Sequence, residues 1–212
     1  MQERQIMKYK HLIWDFDGTL FDTYGEIAKV VKEVVENMGI KEDLDFILKN
    51  LHQSLTFTFK EIGKRNNIDY LDISKAFFLA EEEMDVSNTY PFSGTKEMIK
   101  AVSGYNFMVT NRGLSVFRFL EDKDYLKYFT EILHKESGFP LKPRSDKVDY
   151  LVDKYKLNRD EILFLGDRDL DIECANNSHV DSCYFDTHNI KNTAPATYYV
   201  KSLKEILDII KA

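Results

Sequence analysis

The sequence predicts an α/β protein: a parallel sheet with helices on both faces, interrupted by an all-helical insertion. Three observations carry this reading. Short apolar runs alternate with helical patterns over most of the 212 residues, as in strands joined by crossover helices. From Thr23 to Ser87 the alternation stops and no strand pattern is found. Carboxylates, a hydroxyl and a lysine recur just past the apolar runs, where open parallel sheets bind ligands. The expected division is therefore 1–22 with 88–212 as an α/β core domain, and 23–87 as a helical domain.

The elements follow in chain order. "KHLIW" leads into "DFDGTL", which places a first buried strand at His11–Asp15. In the insertion, Ile27, Val30, Val31, Val34, Val35 and Met38 recur at helical spacing, and Gly39 is placed to stop that helix. "LTFTFKEIGKR" and "DISKAFFLAEEEMDV" continue the helical pattern. Phe57, Phe59, Phe77 and Phe78 are expected in the insertion's core, and the "EEE" at 81–83 on a solvated face. The remaining strands are expected at Tyr105–Thr110, Glu131–His134, Glu161–Gly166, Asp181–Phe185 and Thr197–Val200. Ser145 suits an N-cap before "DKVDYLVDKY", and Ser202 with Glu205 forms a capping box before "ILDIIKA".

Composition excludes several classes. The chain is 43% hydrophobic and 31% charged, ordinary for a globular protein. No apolar run approaches the ~20 residues a membrane span needs, and Met1–Lys10 has no apolar segment of the signal-peptide kind; residues 1–6 read as an extension or an upstream start ahead of Met7. Cytoplasmic location is the expectation, with no membrane partner. The net charge of -7 argues against a nucleic-acid surface. The insertion holds 13 acidic and eight basic residues, so it carries most of that charge. Cys174 and Cys183 lack metal-site spacing and are expected as reduced thiols.

The chemistry lies at the strand ends. Asp15 and Asp17 are like charges one residue apart, and burying either is costly. A metal ion, a proton on one of them or a turn that aims them apart could offset that cost. Asp167, with Asp169 and Asp171 close behind, follows the strand ending at Gly166; Thr110 and Asn111 follow another; Lys142 lies in a loop beyond a third. Carboxylates from two strand ends form a hard oxygen site suited to Mg²⁺, whose shell is completed by water and substrate phosphate. Lys142 and Thr110 would offer a charge and a donor to phosphate oxygens. Gly18 would turn the chain so that backbone N–H groups face the same anion.

"DFDGTL" at 15–20, "VTN" at 109–111, "LKP" at 141–143 and "GDRDLD" at 166–171 resemble, in order, the four motifs of the haloacid dehalogenase (HAD) superfamily. The resemblance implies a Rossmann-like core, and the helical insertion after the first motif resembles a C1 cap, as in the phosphoglycolate phosphatase and β-phosphoglucomutase-like branch. It further implies that Asp15 is the nucleophile and a metal ligand, and that Asp17 is the general acid/base with its backbone carbonyl on Mg²⁺. By the same resemblance Thr110 binds phosphate, Lys142 steadies the nucleophile and phosphoryl group, Asp167 ligates the metal directly, and Asp171 does so directly or through water. Asn111 and Gly18 join the phosphate set. In the cap, Tyr24, His52, Gln53 and Ser54 lie where relatives carry substrate-facing residues. Two positions depart from the pattern: Ser145 stands where a proline is usual in the third motif, and His179 where a glycine is usual after the fourth. Lys135 and Lys147 rival Lys142 by type, but only Lys142 precedes a proline.

The expected activity is a Mg²⁺-dependent phosphatase that hydrolyses a small phosphorylated metabolite through an aspartyl-phosphate, as a monomer or homodimer. A phosphomutase with the same chemistry is the nearest alternative. A non-catalytic binding protein is a third, against which the intact set of Asp15, Asp17, Thr110, Lys142 and Asp167 argues. Asp17 also argues against a dehalogenase, a branch that lacks the second aspartate.

Overall fold

Each of the six apolar runs forms a strand in the computed structural model, which describes residues 7–189 and 192–211. The strands are β1 (His11–Trp14), β2 (Asn106–Val109), β3 (Glu131–Leu133), β4 (Ile162–Gly166), β5 (Asp181–Phe185) and β6 (Tyr198–Val200). All pair in parallel, in the order β3-β2-β1-β4-β5-β6. The helices, numbered along the chain, are α1 (Tyr24–Asn37), α2 (Leu44–Leu51), α3 (Leu55–Asn66), α4 (Tyr70–Glu83), α5 (Thr95–Ala101), α6 (Ser115–Asp122), α7 (Asp146–Tyr155), α8 (Asp169–Asn177) and α9 (Leu203–Lys211). Among the described residues, no helix is long and apolar enough to cross a membrane. The chain divides into two compact units, one running to Phe21 and resuming at Pro91, the other Asp22–Tyr90.

In the first unit β1 is central. The chain builds β2 and β3 outward on one side of it, then returns to place β4, β5 and β6 on the other. The strand order therefore reverses at β1, and a crevice at the carboxyl ends of the strands is the expected ligand site. Register puts Ile13 beside Phe107 and Phe164. These side chains pack with Val148 and Leu151 of α7 and Cys174 and Ala175 of α8. Leu12, Trp14, Met108, Leu163 and Leu165 point to the opposite face and are also fully buried. Burial on both faces is why these strands read as continuous apolar runs, and each buried Leu, Ile or Phe stabilises the sheet by about 1.5–3 kcal/mol. Both cysteines are buried free thiols.

The helix starts of this unit differ in detail from expectation. Ser145 is the N-cap residue of α7, but its side chain makes no capping bond. Its φ of -80° and ψ of -13° are already helical, whereas a capping hydroxyl is aimed by extended backbone. At α9 the Glu205 N–H reaches Ser202 Oγ at 3.5 Å, while the Glu205 carboxylate accepts from the Ser202 hydroxyl at 2.7 Å and the Lys201 N–H at 3.3 Å. The reciprocal bond thus reaches one residue further back than in an ideal box.

The second unit is four helices around Ile27, Val31, Val35, Ile47, Phe59, Ile62, Ile73 and Phe77. α1 stops where Gly39 N–H bonds Glu36 C=O and Ile40 N–H bonds Val35 C=O, each at 2.9 Å, the paired bonds of a Schellman ending. Phe59 and Phe77 meet at 5.3 Å between ring centroids. Two expectations fail here. Phe57 is 40% exposed, because it lies two residues before Phe59 and so projects from the far side of α3. Glu81 is buried, because Ile73, Phe77 and Glu81 repeat at four-residue spacing along one face of α4. Glu82 and Glu83 are exposed.

Candidate active site

Asp15 follows β1 directly, and its N–H donates to Leu165 C=O at 2.9 Å, extending the ladder with β4. Thr110 follows β2 and Asp167 follows β4. The sheet therefore brings all three to one edge, and each is about 1% exposed. Lys142 arrives from the loop after β3, preceding a cis Lys142–Pro143 bond. Its Nζ lies 2.5 Å from Asp15 Oδ1 and 2.5 Å from Asp171 Oδ1, with all three side chains buried.

Burial is the largest influence on Asp15 and raises its pKa to about 6, with Asp171 adding repulsion and Lys142 opposing both. Burial alone would lower the Lys142 pKa, but Asp15 and Asp171 outweigh it and hold the ammonium above its ordinary value. Lys142 is thus a charged lysine shared by two carboxylates.

Asp171 is in the first turn of α8, where its Oδ2 accepts the Arg168 N–H at 3.1 Å. It fits only because residue 166 is glycine: a Cβ there would lie 2.1 Å from the Asp171 Cβ, well inside van der Waals contact. Asp15, Asp167 and Asp171 each offer an oxygen within 4.8 Å of the others. A buried all-carboxylate donor set of this kind fits a hard divalent cation, and Mg²⁺ in particular. Arg168 Nε is 3.9 Å from Asp167 Oδ1. Thr19 Oγ1 sits 3.5 Å from both Asp15 Oδ2 and Asp167 Oδ1.

The other expected residues divide. Asp17 lies outside the three-carboxylate cluster; its side chain is held by Arg112, with Nη2 to Oδ1 at 2.7 Å and Nε to Oδ1 at 3.0 Å and Oδ2 at 3.1 Å. The Asn111 side chain is engaged with Lys142, accepting its N–H at 2.9 Å and donating to its C=O at 3.2 Å. It therefore helps set the loop that carries Lys142 in place. Gly18 has φ 77°, but its N–H donates to Phe21 C=O at 2.8 Å. The turn expected at Gly18 forms, and that N–H closes it instead of facing a ligand. In the helical unit, Tyr24 and His52 meet edge to face at 5.3 Å. Ser54 caps α3, its Oγ accepting the Phe57 N–H at 3.0 Å. Gln53 N–H bonds Asn50 C=O at 2.9 Å.

Two site neighbours carried little sequence signal. Thr19 is a small polar residue in a turn. Lys147 is fully buried; burial, with Lys142 nearby, pushes its pKa down to about 8, and its Nζ donates to Thr110 C=O at 2.9 Å. Its place beside Val148 and Leu151, on the inward stripe of α7, was the available clue.

The sheet, the motif order and the buried carboxylate–lysine cluster define a class, the HAD-type hydrolases. The sequence matches the haloacid dehalogenase-like hydrolase family over residues 12–185, and the chain belongs to that family of enzymes. It is 23% identical over 223 residues to a phosphoglycolate phosphatase of Vibrio parahaemolyticus, covering 95% of this chain and 96% of the relative. Its fold matches a crystal structure of a predicted phosphoglycolate phosphatase from Haemophilus somnus with a TM-score of 0.84 at 18% identity, over 96% of this chain and 99% of the other. It also matches the HAD-hydrolase YfnB from Bacillus subtilis, crystallised with magnesium bound, with a TM-score of 0.74 at 17% identity, over 97% of this chain and 100% of the other.

Proposed function

We propose that this enzyme is a Mg²⁺-dependent phosphatase that hydrolyses a small phosphomonoester through an aspartyl-phosphate on Asp15. The observation that carries the reading is the Asp15–Lys142–Asp171 arrangement beside Asp167: a buried carboxylate held by a lysine in a site suited to a divalent cation. The name of the Vibrio relative supports phosphate ester chemistry.

Asp15 is the nucleophile. One of its oxygens forms a bond to phosphorus as the bond to the leaving oxygen breaks, and Asp17, which enters this step as the carboxylic acid, gives that oxygen its proton. Asp17 then takes a proton from water, whose oxygen attacks phosphorus and returns Asp15 to its carboxylate with release of inorganic phosphate. Lys142 neutralises Asp15 and stabilises the equatorial phosphoryl oxygens. The Thr110 hydroxyl binds another of these oxygens. Asp15, Asp167 and the Asp17 backbone carbonyl would hold Mg²⁺, which supplies charge neutralisation. Both Asp171 oxygens already have protein donors, which favours contact with the ion through water.

The acidic composition of the helical insertion disfavours polyanionic substrates, so small sugar or carboxylate phosphates are the proposed class. Tyr24, His52 and Ser54 are proposed to set the preference among them. The test is a panel of phosphorylated metabolites, phosphoglycolate included, assayed with Mg²⁺ and after EDTA treatment. Turnover of a small phosphomonoester that requires Mg²⁺ supports the reading. Full activity after EDTA, or a phosphopeptide as the best substrate, contradicts it.

A further inference from the structure

We propose that Arg112 is a positioning residue that fixes the carboxylate of Asp17 and, through its backbone, the hydroxyl of Thr110; the inference deepens the phosphatase reading and rests on it for its kinetic part. The Arg112 side chain is 0% exposed. A guanidinium hidden to that extent requires well-placed acceptors to offset its desolvation, and Asp17, 13% exposed at its side chain, supplies them. The contact is a planar fork, with three donor–acceptor distances between 2.7 and 3.1 Å. Such a fork sets direction as well as distance, which a lysine's point charge does not.

The guanidinium is itself held on other sides. Its Nη1 donates to Ser115 Oγ at 3.1 Å, on α6. Its carbon lies 4.9 Å from the Phe119 ring centroid and 5.5 Å from that of Phe16, within range for cation–π attraction. Asp17 is therefore tied to a group whose own rotamer is fixed by α6 and by the aromatic residue between the two aspartates. The backbone of the same residue acts on the second motif. Arg112 N–H donates to Thr110 Oγ1 at 3.0 Å. The Thr110 hydroxyl accepts there, so its own proton is directed elsewhere. Arg112 C=O accepts the Lys135 N–H at 2.9 Å, which anchors the segment to the end of β3. One residue thus joins the acid/base after β1 to the phosphate-binding hydroxyl after β2.

The test combines kinetics with structure. kcat and KM for p-nitrophenyl phosphate with Mg²⁺ are measured for wild type, Arg112→Ala, Arg112→Lys, Ser115→Ala, Asp17→Asn and the Arg112→Ala/Asp17→Asn double variant. Arg112→Ala is expected to lower kcat about 10²-fold with KM within about threefold, and to cost little further on the Asp17→Asn background, because residues acting as a unit are non-additive. Added guanidinium ion should restore part of the rate to Arg112→Ala and none to Arg112→Lys, whose side chain fills the space. Ser115→Ala should show a smaller loss of the same pattern, and it carries the test if Arg112→Ala does not fold. A full loss that persists in the double variant, an unchanged kcat, or a kcat that rises because Arg112 restrains Asp17 away from the reaction would each overturn the proposal. If the wild type does not turn over phosphomonoesters, the phosphatase reading fails, and the positioning claim is decided by the crystal structure of Arg112→Ala. A displaced Asp17 carboxylate supports it, and an unmoved one overturns it.

Discussion

The Nζ of Lys142 lies 2.5 Å from Oδ1 of Asp15, with both side chains buried. Even with that lysine in contact, burial and Asp171 raise the Asp15 pKa to about 6, above its ordinary value of 3.8. Between these values the folded protein binds more protons than the unfolded chain, so this group makes stability fall as pH rises through the window. A divalent cation that requires ionised carboxylates relieves the same strain. Added Mg²⁺ is therefore expected to raise Tm by more at pH 7.5 than at pH 5, and Asp167→Asn to remove most of that gain. Thermal denaturation with and without Mg²⁺ at the two pH values measures this; a gain equal at both, or one retained in Asp167→Asn, contradicts the proposed metal site.

Gly166→Ala tests the packing beneath the cluster. The added Cβ would lie 2.1 Å from the Asp171 Cβ, and neither β4 nor the first turn of α8 can shift without moving Asp167. Overpacking of this severity costs on the order of 3 kcal/mol or more. The expected outcome is a Tm lowered by several degrees and loss of turnover, read by calorimetry and assay.

His179 offers the opposite experiment. It has φ 54° at the end of α8, with its N–H on Asn176 C=O and the Val180 N–H on Ala175 C=O, each at 3.1 Å. This is the left-handed stop that favours glycine, which accounts for the glycine usual there in the family pattern. His179 is exposed, so His179→Gly removes strain without removing a contact of the core. It should stabilise by about 0.5–1 kcal/mol, seen as a higher denaturation midpoint with kcat unchanged.

In the helical unit, Tyr24→Ala and His52→Ala should change the relative kcat/KM among small phosphates, while Thr110→Ala lowers the rate for every substrate alike, because a group holding only the phosphoryl does not discriminate. Ratios across a substrate panel decide this. If the wild-type order of preference survives in both Tyr24→Ala and His52→Ala, those residues are not the readers.

Much of this was legible in the sequence because apolar runs and strand ends obey simple rules. All six strands fall on their runs to within a residue at either end, and the residues after β1, β2 and β4 meet at one edge because a parallel sheet puts them there. Side-chain direction was less legible. Asn111 is drawn to the Lys142 backbone, and the Gly18 N–H closes its own turn; residue type alone does not encode such local hydrogen bonds. Glu81 and Lys147 are charged residues on inward stripes, where position outweighs type. The Arg112–Asp17 fork joins residues 95 positions apart, and no local pattern encodes such a pair.

The most direct test of the account is chemical trapping of the intermediate. A small phosphomonoester is mixed with enzyme and Mg²⁺, quenched with acid within a turnover and reduced with borohydride, which converts an aspartyl-phosphate to homoserine. Peptide mass spectrometry should find the conversion at Asp15 alone, dependent on substrate, and absent from an Asp15→Asn variant whose kcat has fallen at least about 10³-fold. An unmodified Asp15 in an enzyme that is turning over, conversion at another carboxylate, or wild-type kcat in Asp15→Asn would contradict the account.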